Sequence, residues 1–173
     1  MLVPSRSFEE TIQDIGPVIA NWEDQVIPRR VEMVQNPRYS PRYAWMFSYE
    51  RGLRDRIFRE LGRKNRKIER LLFGAGGIVS EGLSNAFVHG HRRDIDRPII
   101  VRCALSSEQL VITITDSGPG FDHEETLRKH RQGKNYYHIG GNGLNSFIEN
   151  QQVEASYSDR GRCLTLKIPI PTR

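Results

Sequence analysis

The 173-residue sequence predicts one β-sheet with helices packed against one face, and three observations carry that prediction. From Ile68 to Ala86 apolar residues recur at intervals of three and four, the period of a helix with a wide buried face. After His91 the period drops to two, the alternation of strands. Two pairs of such strands, each joined by a short polar turn, then frame a helix-prone and glycine-rich middle section.

Taken in order, SFEETIQDI begins with a helix signal: Ser7 caps, Glu10 follows at the reciprocal capping position, and Phe8, Ile12 and Ile15 fall on one side. Gly16–Pro17 interrupts the pattern, and QNPRYSPR at 35–42 reads as a loop and a boundary. The expected division is an N-terminal helical extension over 1–42 and a domain over 43–173. YAWMFSYE at 43–50 fits a strand or the opening of the next helix. GLRDRIFRELGRKN then reads as a helix with Leu53, Ile57, Phe58 and Leu61 inward. The helix expected over 66–89 carries Gly74, Gly76, Gly77 and Gly82, each costing about 1 kcal/mol against alanine. Either a closely approaching backbone or ligand offsets that cost, or the helix breaks near Gly76–Gly77. PIIVRCAL, the turn SSEQ and LVITITD make a hairpin. A polar segment, a glycine cluster and a short helix from about Leu144 to Asn150 follow, and VEASYS, DRG and RCLTLKIPI close with a second hairpin.

Composition narrows the class. No apolar run has the length that crosses a bilayer, and MLVPSRSFEE lacks the apolar centre of a signal peptide. Two cysteines, Cys103 and Cys163, make no metal-ligand set and read as reduced residues of a cytoplasmic protein. The net charge of +5 is uneven, with thirteen Lys/Arg against five Asp/Glu between Arg29 and Arg70. Such a patch suits nucleic acid, a membrane surface or an acidic protein, and equally a solvated helical face. No stacking-aromatic motif of the RNA-binding kind accompanies it, so nucleic acid is not the expected partner.

Three clusters carry chemistry. In SEGLSNAFVHGH, Glu81, Asn85 and His89 stand four residues apart and project from one helical stripe. A carboxamide oxygen suits Mg²⁺, and a carboxylate one turn earlier suits a general base. DSGPGFD at 116–122 ends a strand with Asp116, which can accept a hydrogen bond from an exocyclic amine such as that of adenine. Gly118 and Gly120 there admit close backbone approach. GGNGLNSF at 140–147 sets glycines before a helix, the geometry of a phosphate cradle. Taken singly, these are also a polar helix edge, a capped turn and a loop.

In this order and spacing, the three resemble the N-box, G1-box and G2-box of the GHKL ATPase superfamily, and look most like bacterial anti-sigma factor serine/threonine kinases. The resemblance covers about 66–170 and leaves 1–42 aside. It implies a two-layer α/β sandwich with a mixed, mostly antiparallel sheet, binding ATP with Mg²⁺. It implies that Glu81 is the general base and that Asn85 holds Mg²⁺ against the phosphates. Asp116 would read the adenine amine, with Gly118 and Gly120 shaping the base pocket. Gly141, Gly143 and Leu144 would contact phosphates, and Arg131 or Lys134 of the lid would reach the γ-phosphate. His89 is expected to be structural. Members often carry a Gly-Thr pair near the start of the last strand, and Thr165 is the candidate for that threonine. The implied function is phosphorylation of a small antagonist protein, sequestration of a sigma factor, or both, by a homodimer. A non-phosphorylating ATP-dependent regulator and a detached histidine-kinase catalytic domain are the alternatives. The latter needs its acceptor on another chain, because none of the five histidines precedes the N-box.

Overall fold

The structure is a computed structural model that describes residues 6–32, 43–74, 76–122 and 153–171. Its sheet has five strands: β1 (Ala20–Val26), β2 (Ile99–Leu105), β3 (Gln109–Thr115), β4 (Glu154–Ser158) and β5 (Cys163–Pro169), in the spatial order β1-β2-β3-β5-β4. Every pairing is antiparallel, the limiting case of the mostly antiparallel sheet expected. Both hairpins stand where the two-residue period put them. The helices are α1 (Phe8–Gln13), α2 (Ala44–Glu60), α3 (Arg66–Leu72) and α4 (Ile78–Asn85).

Alternation along the strands separates two faces. Ile99, Val101, Cys103 and Leu105 of β2, Leu110, Ile112 and Ile114 of β3, and Leu164, Leu166 and Ile168 of β5 join the main core with Leu53, Ile57, Ile68, Leu83 and Phe87. Helices α2, α3 and α4 therefore share one face, as expected. Phe87 is fully buried there, edge-on to Trp45 at 5.3 Å and to Tyr43 at 6.2 Å. The aromatic stretch 43–50 is thus helical, opening α2.

The segment before residue 43 departs from a helical extension. The capping box at Ser7 and Glu10 forms as expected, but the helix stops at Gln13 and ANWEDQV becomes the edge strand β1, paired from Ala20↔Leu105 to Val26↔Ile99. Its alternation explains why. Trp22 and Asp24 turn toward α2 while Asn21, Glu23 and Gln25 face solvent. Arg56 stacks over the Trp22 ring at 4.4 Å, and Tyr49 Oη donates to Asp24 Oδ2 at 3.0 Å. Helix α1 lies on the opposite face of the sheet, where Ile15 packs with Ala104 and Val111. Arg102 fastens it by bonding Glu9 at 3.1 Å and Glu23 at 2.6 Å.

The helix expected over 66–89 is broken. Helix α3 ends at Leu72, and Gly74 (φ 84°) and Gly76 (φ 79°) take left-handed turns that cost glycine little. A Cβ on Gly77 would lie 2.6 Å from the Leu72 carbonyl oxygen. For Gly74, Gly76 and Gly77 the cost is relieved by leaving the helix, whereas Gly82 stays inside α4 and admits the close approach of Ile114. Glu50 of α2 is buried against this break, beside the Gly74 backbone and Ser80, and burial raises its carboxyl pKa. Among the described residues both cysteines are free, and no helix is long and apolar enough to cross a membrane.

Candidate functional site

Helix α4 is pinned to strand β3 at two glycines. A Cβ at Gly82 would meet Ile114 Cδ1 at 2.6 Å and Leu164 Cδ2 at 3.0 Å, so the middle of the helix lies against the end of the strand. Beyond Asn85 the chain winds into one π-helical turn, Ala86–Gly90, closed by the His91 N–H donating to the Ala86 carbonyl at 2.8 Å. Single π turns inside α-helices concentrate at functional sites. This one brings Gly90 onto Asp116, whose carboxylate carbon lies 2.3 Å from where a Gly90 Cβ would be. Asn85 thus stands between the contacts with Ile114 at Gly82 and with Asp116 at Gly90, and Glu81 directly precedes the first of them. Both are half-buried, and neither side chain makes a hydrogen bond or ion pair among the described residues. His89 is exposed on the π turn, off the stripe that uniform four-residue spacing would give.

Asp116 continues the inward alternation of Ile112 and Ile114. Its backbone N–H donates to the Arg162 carbonyl at 3.0 Å, extending the β3–β5 ladder by one step. One carboxylate oxygen accepts the Gly118 N–H at 2.7 Å. Burial raises this carboxyl's pKa, while the Gly118 N–H, Arg162 and Arg97 pull it back. Half-buried and bonded on one oxygen, the group has acceptor capacity left for a ligand.

Glycine at 118 and 120 has a reason inside the protein. A Cβ on Gly118 would sit 2.1 Å from the Gly90 carbonyl oxygen, and one on Gly120 (φ 76°) 2.2 Å from the Arg160 carbonyl oxygen. Phe121 N–H donates to that same Arg160 carbonyl at 2.9 Å, so the DSGPGF turn is clamped between the π turn and the β4–β5 turn. Thr165 lies on the far face of the sheet, opposite Thr113 on β3 and Ser156 on β4. The residue of that last strand region beside Asp116 is Arg162, whose guanidinium bonds Asp159 Oδ1 at 2.5 Å.

Gly141, Gly143, Leu144, Arg131, Lys134 and the short helix expected after Leu144 lie outside the described residues. Two residues at the site carry no motif signal in the sequence. One is Arg162. The other is His91, the last residue of SEGLSNAFVHGH, to which the sequence assigns no role and which is buried against Ser117. Part of the basic 29–70 region is neutralised locally: Arg54 pairs with Asp55 and Glu69, Arg56 with Asp24, and Arg59 with Glu60.

Mg²⁺ keeps several waters and takes few protein ligands beside substrate phosphates. The described residues hold no cluster of three or more His, Cys, Asp or Glu that would cage a metal. An unbonded Asn85 carboxamide, one turn from an unbonded carboxylate, fits an ion held chiefly by its nucleotide.

Residues 56–168, more than half of the chain, match the family model described as a histidine kinase-like ATPase domain. The chain is also similar to the anti-sigma F factor of Clostridium perfringens (strain 13 / Type A), 31% identical over 51 residues. The anti-sigma F factor of Oceanobacillus iheyensis is 29% identical over 52 residues. Each match covers 30% of this chain and 36% of the relative, so the chain spans about a third of the length of the curated relatives it matches.

Proposed function

The chain belongs to the family of histidine kinase-like ATPase domains, and from that premise we propose that it binds ATP with Mg²⁺ and acts as a serine/threonine protein kinase of the anti-sigma kind. Its partners in this reading are a small antagonist protein, a sigma factor, or both, and it works as a homodimer in the cytoplasm. The observation that carries the proposal is the contact of the Asp116 carboxylate with Gly90, at the end of the helix that bears Glu81 and Asn85.

In this pocket Asp116 accepts from the adenine amine, and its bond from Gly118 N–H fixes which way its free oxygen points. The Asn85 carboxamide oxygen orients the cation. Mg²⁺, when bound there, would supply positive charge to offset the phosphate charge facing an incoming hydroxyl. Glu81, on the same face one turn earlier, removes the proton from the acceptor hydroxyl as it attacks the γ-phosphorus, and the bond from that phosphorus to the β–γ bridging oxygen breaks to release ADP. By the resemblance of GGNGL to the G2-box, Gly141, Gly143 and Leu144 are assigned to phosphate binding, and Gly118 and Gly120 keep the backbone of the base pocket close-packed. The similarity to anti-sigma F factors supports an acceptor on another protein.

The test is calorimetric titration of the full chain with ATP and ADP, with and without Mg²⁺, followed by incubation of the ATP-loaded protein with candidate antagonists. The proposal expects Mg²⁺-dependent binding of both nucleotides and phosphate transfer to a serine or threonine. No binding of either nucleotide would sink it entirely. Binding without transfer to any cognate antagonist would leave an ATP-dependent binding protein and remove the kinase.

A further inference from the structure

We propose that His91 is a positioning residue of the base pocket: held as the neutral Nδ1–H tautomer, it fixes the Ser117–Gly118 turn and through it the direction of the Asp116 carboxylate. This rests on the reading that Asp116 recognises the adenine amine. The π turn buries the His91 ring to 2% exposure. Its Nε2 accepts the Ser117 N–H at 3.0 Å and lies 3.2 Å from the Ser117 hydroxyl. An N–H can only be received by an unprotonated nitrogen, so Nε2 carries no proton and the neutral ring holds it on Nδ1. Nδ1 itself has no partner among the described residues. Free imidazole side chains prefer the other tautomer. The protein therefore keeps this ring in its less favoured form to keep one acceptor at Ser117.

Around that acceptor the bonds run in one direction. Arg97 donates to the Ser117 carbonyl at 2.6 Å and to the Ser117 hydroxyl at 3.0 Å. Arg97 occupies a lone pair of the hydroxyl, which leaves the Nε2 lone pair to the Ser117 N–H, with the hydroxyl beside it at 3.2 Å. The next residue, Gly118, donates its N–H to Asp116, and its Cα lies so close to Gly90 that no side chain fits between them. The turn is thus held on one side by the π-turn backbone and on the other by Arg97, with the imidazole acceptor setting its rotation. Protonation would set an Nε2–H against the Ser117 N–H. Burial and the Arg97 charge both disfavour that form, and Asp94 opposes them only partly.

Glutamine at 91 can place an amide oxygen near the Nε2 position, whereas phenylalanine keeps the bulk and removes the acceptor. The experiment measures affinity for ATP and for purine riboside triphosphate, which lacks the exocyclic amine, in the full chain, His91→Phe and His91→Gln. The expected result is a loss of about tenfold in the preference for ATP in His91→Phe, the weight of one well-made bond to a charged group. Affinity for the deaminated analogue stays near wild type, and His91→Gln recovers most of the preference. A His91→Phe protein that keeps the wild-type preference, or that loses both nucleotides equally, overturns the positioning role while leaving ATP binding intact as a proposal. A wild-type protein with no preference between the nucleotides removes the role of Asp116, and this inference with it. Nitrogen-15 NMR of the wild-type ring at neutral pH decides the matter should His91→Phe fail to fold: a proton on Nδ1 supports the assignment, and a proton on Nε2 overturns it.

Discussion

Replacing Gly90 with alanine puts a methyl carbon 2.3 Å from Asp116 Cγ and 2.5 and 2.7 Å from its two carboxylate oxygens. Non-bonded carbon contacts settle near 3.5–4.0 Å, so the carboxylate must retreat by roughly 1 Å or more. That retreat strains the bond from the Gly118 N–H, because the neighbouring Ser117 is held by Arg97 and His91. Overpacking of this kind costs about 1–3 kcal/mol. The weakened bond to a half-exposed carboxylate adds up to about 1 kcal/mol, and the better helix propensity of alanine returns up to about 1 kcal/mol. The net expectation is a destabilisation of about 1–3 kcal/mol, read from the urea midpoint, with ATP binding lost in calorimetry. Gly82→Ala is the internal control. The atoms nearest its methyl are side-chain carbons of Ile114 and Leu164, not the backbone or a carboxylate, so the core repacks at a cost of about 1–2 kcal/mol, partly offset by helix propensity, with ATP affinity retained. A Gly90→Ala protein as stable as wild type and binding ATP equally well would refute the account of how helix and strand share this pocket.

Three further outcomes are expected. Glu81→Ala abolishes phosphate transfer and leaves ATP affinity near wild type, checked by parallel radiolabel and calorimetric assays; a large affinity loss would make Glu81 a binding group instead. Asn85→Ala removes the benefit of Mg²⁺, so that its ATP affinity is the same with and without chelator, and a variant that still gains from Mg²⁺ would displace Asn85 from the metal. Glu50→Gln stabilises the protein near neutral pH, because burial raises the folded carboxyl pKa above its unfolded value. The penalty for ionising Glu50 is complete above the folded pKa and vanishes below the unfolded one, so the gain in thermal midpoint at about pH 8 should shrink toward about pH 4. A gain independent of pH would mean that charge is not the cause.

What could be read from the residues follows from which signals are local. The two hairpins announce themselves through alternation over strands of five to seven residues, and the Ser7 capping box through two residues at fixed spacing. The edge strand β1 escapes because its alternation is interrupted at an inward polar residue, Asp24, which is satisfied by Tyr49 from twenty-five residues away. The break after Leu72 is one of two readings that a glycine cluster permits, and only the packed positions of α3 and α4 choose between them. Glu81, Asn85 and Asp116 stand out as candidates in the sequence because their residue types and spacing carry chemistry. The burial of His91 does not, since it depends on a π turn that no periodicity announces. Nor does Arg162, whose nearness to Asp116 is a product of strand register.

The edge strand also sets how this protein can be cut. Residues 56–168 contain the matched domain, yet the seven positions of β2 from Ile99 to Leu105 find their second row of backbone partners in Ala20–Val26. A shortened version starting at Tyr43 would leave that flank of the sheet open, with amides and carbonyls of a largely apolar strand seeking a new neighbour. Such a fragment should recruit a second fragment or precipitate, even with every pocket residue in place.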